Sequence, residues 1–236
     1  MNFFLHYIGV EGAARDFPKT VFTDRPTGLV IERVPDVHPG KAFLLTRLGD
    51  AFPEGRWNCW GVPDGAGPAI GRLSEGDLFL LMETSSGPGA VPAMGRVETF
   101  VPQRFPHLSN ALWGERGFPY IFFFRTIPLA LTWIDLGARL GYKPTYDGPR
   151  GQVQRIREEH VRHAGGVRAL ERWLYSKEDR EAVDRFSLNP RRLVRESPEL
   201  YDVQAEHDAL ITTSIEDEPE LTDDVDAREV TSYSYP

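Results

Sequence analysis

Short apolar segments separated by glycine and proline fill the chain before residue 129. Aromatic and aliphatic residues in such segments are typical of buried β-strands. The pattern predicts strands at 2–10, 28–34 (GLVIERV), 41–47 (KAFLLTR) and 78–82, and again in AMGRVETFVP and FPYIFFF. It predicts a loop over 16–26, between the first two strands.

Apolar residues three or four positions apart first occur at 108–113 and 129–140, and this spacing predicts a helix in each segment. It continues over 152–173, where Gly165 and Gly166 indicate a break between two helical segments. A further helix is predicted at 177–186. Helices are therefore expected mainly toward the C-terminal part of the chain.

This order of elements predicts an α+β fold, with a small curved β-barrel, peripheral helices and a C-terminal helical appendage. The length of 236 residues suits one main domain with an appendage. We expect the main domain at 1–149, a basic helical appendage at 150–195, and an acidic tail or interdomain linker at 196–236.

The net charge of −8 is unevenly distributed. Residues 196–236 hold 13 acidic residues and one basic residue, so the rest of the chain is mildly basic, at +4. The acidic overall charge therefore does not exclude phosphate binding. The tail is expected to be a solvated linker, and the alternative is a segment that competes with nucleic acid for the basic surface.

Several function classes are excluded or disfavoured by the sequence. The single cysteine, Cys59, rules out an internal disulfide and a multi-cysteine zinc site. The apolar runs are too interrupted for a membrane span, and the N-terminus lacks signal-peptide features, so we expect a cytoplasmic protein with no membrane partner. No nucleotide-binding or hydrolase motif is present, so we expect no cofactor or metal, and whether the chain is an enzyme stays open.

Two tryptophan segments carry the candidate binding chemistry. The segment WNCWG holds Trp57, Asn58 and Trp60 directly before a glycine-rich turn, and SNALWG holds Ser109, Asn110 and Trp113. Aromatic rings stack on a nucleobase, while a carboxamide reads its edge. The competing interpretation is that the tryptophans only fill the core. The arginines that we expect to contact phosphate are Arg56, Arg72, Arg96, Arg104, Arg155 and Arg157.

Catalytic alternatives rest on the histidines and on the single cysteine. His107, or the pair His160 and His163, would be the base of a small nucleotide- or RNA-processing hydrolase. The histidine pair is more simply part of a solvated basic helix, and Cys59 is more simply a small buried side chain than a nucleophile. A peptide-binding module is a third possibility.

The order of motifs WNCWGVP, IGRLSEGDLFLLM, AMGRVETF and SNALWGERGFPYIFFF resembles the EVE-like branch of the PUA superfamily, to which YTH domains are related. The similarity covers residues 40–145. It implies a curved β-barrel that accepts a modified base in an aromatic cage. Trp57, Asn58 and Trp60 would match the cage segment, and Ser109, Asn110 and Trp113 would match a second rim element.

Such domains resemble the specificity parts of modification-dependent restriction endonucleases. The resemblance therefore implies double-stranded DNA as the partner, with 5-methylcytosine or 5-hydroxymethylcytosine flipped out of the duplex. It also implies a fused or partner nuclease domain, since no nuclease motif is found in these residues. An N6-methyladenine reader and an RNA-binding or RNA-processing PUA-like protein are the alternatives.

Overall fold

A computed structural model describes residues 1–64, 71–84, 90–114, 117–143, 146 and 153–181. All of them belong to one compact unit, Met1–Pro190. The predicted acidic tail, 196–236, and the end of the helix predicted at 177–186 lie outside these ranges. Residues 177–181 form turns and an isolated bridge rather than a helix, so the predicted helix does not begin there.

Seven helices and nine strands lie within the described ranges. The strands are β1 (Phe3–Tyr7), β2 (Arg25–Pro26), β3 (Arg56–Val62), β4 (Leu78–Met82), β5 (Ala93–Arg96), β6 (Thr99–Phe100), β7 (Tyr120–Phe124), β8 (Thr126–Pro128) and β9 (Gln154–Arg155). The helices are α1 (Val10–Thr20), α2 (Gly28–Arg33), α3 (Lys41–Ala51), α4 (Pro106–Trp113), α5 (Trp133–Leu140), α6 (Glu158–His163) and α7 (Val167–Tyr175).

The strands form two sheets. The first has the order β8-β5-β4-β1-β9 and the second the order β2-β3-β7-β6. All neighbouring pairs are antiparallel except β1 and β4, which run parallel. The strand order places β9 at one edge of the first sheet, antiparallel to β1. The predicted α+β class is confirmed. The described strands form two open sheets rather than the closed barrel that we expected.

Both faces of each sheet are buried, and alternate residues enter different cores. Between the sheets lies a central core, which contains Phe4, Phe17, Trp60, Phe79, Phe122 and Phe124. Beyond the first sheet, α5, α6 and α7 cover a second core, the α5–α7 core, which contains Phe3, Leu5, Leu80, Trp133, Val161 and Leu174. Beyond the second sheet, α2, α3 and α4 cover the α2–α4 core, which contains Val30, Leu44, Trp57, Leu108, Ile121 and Phe123.

One hydrogen bond links the two sheets through the central core. The indole Nε1–H of Trp60 on β3 donates to Nδ1 of His6 on β1 over 3.0 Å. Burial lowers the pKa of His6 from 6.5 to about 3 because the charged imidazolium would lose its hydration. His6 is therefore neutral, which leaves Nδ1 free to accept the bond from Trp60.

The strands predicted at 28–34 and 41–47 are wrong, because both segments are helices. In α2, Val30 is buried while its neighbour Ile31 is 59% exposed. In α3, Leu44 and Leu48 are buried one turn apart, while Phe43 is 57% exposed. Burial every three or four residues is the helical period, and the aliphatic composition concealed it.

The loop predicted at 16–26 is also partly wrong, since α1 extends through Thr20. Its buried side chains include Ala13 and Phe17, four residues apart, and Phe17 packs edge-on against Trp60 with ring centroids 5.3 Å apart. Pro18 in the last turn does not prevent the helix. The predicted strands at 2–10 and 78–82 and the break at Gly165 and Gly166 are confirmed by β1, β4 and the α6–α7 junction.

The described part of the predicted appendage, residues 153–181, packs directly on the first sheet. Ile156 and Val161 share the α5–α7 core with Phe3 and Leu5 of β1. The backbone N–H of Ile156 also donates to the carbonyl oxygen of Phe3 over 2.8 Å. These two helices are therefore held against the same sheet that carries the rest of the fold.

We predict that His6 makes the fold sensitive to acid. An unfolded histidine takes up a proton near pH 6.5, whereas the folded one resists it to about pH 3. The stability contributed by neutral His6 is thus complete above pH 6.5 and is lost at about 1.4 kcal/mol per pH unit as the pH falls toward 3. Urea denaturation from pH 7.5 to 4.5 should show this loss in the wild type but not in His6→Asn, which keeps an acceptor for Trp60.

The exposed His107 provides the control, because His107→Asn should retain the wild-type pH dependence. Identical pH dependence of wild type and His6→Asn would contradict the prediction.

Candidate nucleic-acid interface

Trp57 and Trp60 do not form a shared aromatic wall. They lie three positions apart on β3, so the alternation of the strand places them on opposite faces of the second sheet. Trp57 is 1% exposed and meets Phe123 edge-on at 5.0 Å in the α2–α4 core. Trp60 is 3% exposed in the central core. The prediction that both rings face solvent beside one another is therefore wrong.

Trp113 is equally buried, at 3% exposure, at the end of α4. Its ring lies 6.0 Å from that of Trp60 and 5.8 Å from that of Phe118. Gly61 makes this approach possible, because a Cβ there would meet Trp113 and the backbone of Phe118 at 2.9 Å. The ring thus fills space in the core, and no surface for base stacking is found on it in the part of the chain that the structure describes.

The polar residues of the two tryptophan segments have different positions. Asn58 is buried, donates to Asp24 over 3.1 Å and accepts from the backbone N–H of Thr126 over 3.0 Å. Ser109 is buried and accepts from the backbone N–H of Phe118 over 3.0 Å. Asn110 is exposed on α4. The bonds of Asn58 and Ser109 hold strands and loops together, so neither group is available to read a base edge.

Three of the predicted phosphate-binding arginines are already paired with carboxylates. Arg104 lies 2.7 Å from Asp64, and Arg56 lies 3.7 Å from Asp24. Arg96 donates to the carbonyl oxygen of Gly76 and forms an ion pair with Glu171. These partners neutralise much of the charge that a phosphate would meet. The three side chains are also distributed over different elements rather than gathered at one place.

The other three arginines gather around one surface cavity of about 560 Å³. We call it the basic cavity, and its lining residues are Phe4, Arg72, Val153, Gln154, Arg155, Arg157 and Glu158. The edge strand β9 supplies Arg155, which pairs with Phe4 of β1, while Arg157 begins α6. Arg72 comes from the turn before β4. The fold thus brings these three predicted arginines together at one place.

The basic cavity carries positive charge that nearby carboxylates do not cancel. Arg72 and Arg155 are exposed, and neither forms an ion pair within the described residues. Arg157 is also exposed, with Nη1 3.6 Å from a carboxylate oxygen of Glu159. Glu158 is the one acidic residue among those that line the cavity. The cavity therefore suits an anionic ligand that also presents polar groups.

An aromatic cluster that the sequence patterns did not reveal includes His160, which lies on the same helix, α6, as Glu158 of the cavity. The cluster contains Trp133, Tyr142, Tyr146 and His160. The ring of Tyr142 lies 3.9 Å from that of His160 and 4.7 Å from that of Tyr146. We call His160, Tyr142 and Tyr146 the ring column. The segment KPTY had indicated only a turn, and no periodic pattern joins these residues.

The ring column and the basic cavity share one helix, because Arg157 lines the cavity as the N-cap of α6 and His160 lies in that helix. Burial is the main cause that raises the pKa of Tyr142 to about 12; the nearby Tyr146 and Glu159 also favour the rise, and the positive charge of Arg157 opposes it. Tyr142 is therefore protonated at neutral pH.

Two of the candidate catalytic residues, His160 and Cys59, have structural surroundings in the described part of the chain. His160 stacks on Tyr142, and its Nδ1–H donates to the carbonyl oxygen of Leu140 over 2.8 Å. Burial raises the pKa of Cys59 well above its usual value, which confirms a buried thiol rather than a thiolate. In the described ranges, no three histidine, cysteine or carboxylate side chains are grouped as metal ligands would be. None of the helices in those ranges has the length and apolarity to cross a membrane.

Comparison with known proteins gives a likeness in fold. No family model and no curated protein matches the sequence. Among solved structures, the chain is similar to the N-terminal domain of Thermococcus gammatolerans McrB bound to m5C DNA. The TM-score is 0.50 at 17% sequence identity, over 74% of this chain and 99% of the other. The likeness supports the overall arrangement of elements, while membership in the EVE-like branch stays a prediction.

We predict that Asn58 stabilises the fold whereas Asn110 does not. Asn58→Ala removes two hydrogen bonds and leaves the N–H of Thr126 without its acceptor, at a cost of about 1–3 kcal/mol in the free energy of unfolding. Asn110→Ala changes an exposed side chain and should stay within about 0.5 kcal/mol of the wild type. Urea denaturation of both variants measures the difference, and equal stabilities would contradict the assignment.

Proposed function

We propose that this chain is a DNA-binding module that recognises a modified base, with 5-methylcytosine or 5-hydroxymethylcytosine as the expected modification. The observation that carries the proposal is the gathering of Arg72, Arg155 and Arg157 around one cavity. It is supported by the likeness in fold to a McrB domain bound to m5C DNA. In this proposal the basic cavity is where DNA binds.

The arginines of the cavity contact the phosphate backbone. Each phosphate that they neutralise releases condensed counterions, so affinity depends steeply on salt and little on sequence. Arg72 and Arg155 contribute most, because neither of them forms an ion pair with a carboxylate in the described part of the chain, whereas Arg157 lies 3.6 Å from Glu159. These contacts place the duplex over the edge formed by β9 and the start of α6.

The base enters the same cavity after it is extruded from the duplex. The cavity volume of about 560 Å³ lies within the range of ordinary ligand pockets. Extrusion costs a few kcal/mol, which interactions in the cavity must recover. Glu158 is suited to accept from the N4 amino group of cytosine, and Gln154 is suited to donate and accept. In this proposal the basic cavity takes the place of Trp57 and Trp60 as the base-binding site, because the rings of those residues are buried in separate cores.

Discrimination by the methyl group alone is modest. Val153 offers an apolar surface in the cavity. Burying one methyl-sized group contributes about 0.8 kcal/mol, or roughly a fourfold difference in affinity. The proposed biological role is the specificity part of a modification-dependent restriction endonuclease, with the nuclease on a fused or partner domain.

Fluorescence anisotropy with matched duplexes tests the proposal. We expect tightest binding to duplexes with 5-methylcytosine or 5-hydroxymethylcytosine, followed by plain DNA; a duplex with N6-methyladenine and an RNA of the same sequence complete the series. Stronger binding to the RNA, or to the N6-methyladenine duplex, would replace the proposed ligand. Equal affinity for all four DNA duplexes would remove modified-base recognition.

The salt dependence of binding locates the DNA-binding surface. Arg72→Gln and Arg155→Gln should each reduce the slope of log affinity against log salt by about 0.9 for every phosphate that the arginine neutralises in the wild type. Arg33→Gln is the matched control, because Arg33 is exposed on α2 beside Glu32, in the helical layer of the other sheet. Unchanged slopes for the two cavity variants, or an equal change in Arg33→Gln, would place the DNA elsewhere.

A further inference from the structure

The ring column ends in an exposed aromatic side chain. Tyr142 is in its middle, with the ring of His160 on one side at 3.9 Å and that of Tyr146 on the other at 4.7 Å. The planes of Tyr142 and Tyr146 differ by 21°, which is a stacked arrangement. Tyr146 is 36% exposed, so the outer end of the column is open to solvent.

The fold fixes the position of this column. The indole N–H of Trp133 donates to the backbone carbonyl oxygen of Tyr146 over 3.2 Å, and the N–H of Tyr146 donates to the carbonyl oxygen of Lys143 over 2.9 Å. His160 is tied to the end of α5 through the carbonyl oxygen of Leu140. Packing against Trp133, whose ring lies 5.6 Å from that of Tyr142, completes the support. Because these contacts already hold the rings in place, a ligand that binds the column loses little free energy in ordering their side chains.

The ring of Tyr146 packs against Trp133 and Tyr142, yet 36% of the residue stays exposed. A large aromatic ring at the surface gives up apolar area to water, and the hydrogen bonds that hold residue 146 come from its backbone rather than from its ring. Tyr142 and Trp133 supply the aromatic contacts that close the α5–α7 core, since both pack against it. The ring of Tyr146 extends the column outward from Tyr142.

We propose that Tyr146 extends the ring column to an unpaired nucleobase of the bound DNA, which stacks on its exposed ring. The inference rests on the proposed function and adds to it a second base contact, separate from the basic cavity. An exposed π-face is suited to single-stranded nucleotides, because every base can stack on it. When one nucleotide is extruded into the cavity, a neighbouring or orphaned base becomes available for this platform.

The test uses a duplex in which one unpaired 2-aminopurine lies next to 5-methylcytosine. The fluorescence of 2-aminopurine falls when the base stacks on an aromatic ring, so the wild type should quench it on binding. Tyr146→Leu keeps apolar bulk but removes the π-face; it should relieve the quenching and weaken binding about 5- to 150-fold. Its salt slope should equal that of the wild type, because the phosphate contacts remain. Tyr146→Phe keeps the ring and should behave like the wild type.

Phe43→Leu is the matched control, since Phe43 is an exposed aromatic residue on α3, in the helical layer of the other sheet. It should change neither quenching nor affinity. Wild-type affinity and quenching in Tyr146→Leu would overturn the inference, as would an equal loss in Tyr146→Leu and Phe43→Leu. Normal, salt-dependent binding by the wild type without quenching would overturn the inference alone. Failure of the wild type to bind any duplex would contradict the proposed function itself.

Discussion

The alternation of side chains along strands that are buried on both faces organises the whole molecule. Successive residues of β1, β3, β4 and β7 enter two different cores, and three cores are thereby stacked across two sheets. The bond between His6 and Trp60 joins the sheets at the centre. Because the inner strands have no free face, ligand chemistry is confined to strand ends, sheet edges and the helical layers.

The basic cavity occupies such an edge. β9 is short, lies outside β1 and continues into α6, so the arginines on either side of Ile156 reach the surface while Ile156 itself enters the α5–α7 core. The same core fixes Trp133 and supports Tyr142. One packed layer therefore holds both the charged cavity and the ring column. Under the proposed function, this coupling lets one sheet edge carry both the phosphate contacts and the stacking surface.

Sequence patterns predicted the strands whose runs are long and apolar, such as β1 and β4, and the helices with clear spacing, such as α6 and α7. They mistook α2 and α3 for strands because aliphatic residues hid the helical period. The tryptophan site was wrong for another reason: the predicted strands did not include WNCWG, and residues three positions apart lie on opposite faces only once the segment is known to be a strand. Arg72, Arg155 and Arg157 were predicted singly, but their convergence depends on the parallel pairing of β1 with β4 and on the position of β9. The ring column depends on packing between segments that no local pattern connects.

The most direct test of the account is to find which residues touch the extruded base. A duplex carrying a diazirine-substituted pyrimidine at the position of the modified base loses N2 under ultraviolet light, the resulting carbene inserts into a C–H, N–H or O–H bond of the side chain that contacts it, and mass spectrometry of the digested complex identifies that residue. The account predicts crosslinks within 153–158, which lines the basic cavity. Crosslinks at Trp57, Trp60 or Trp113 would contradict it, because they would require rings that the structure buries to open toward DNA.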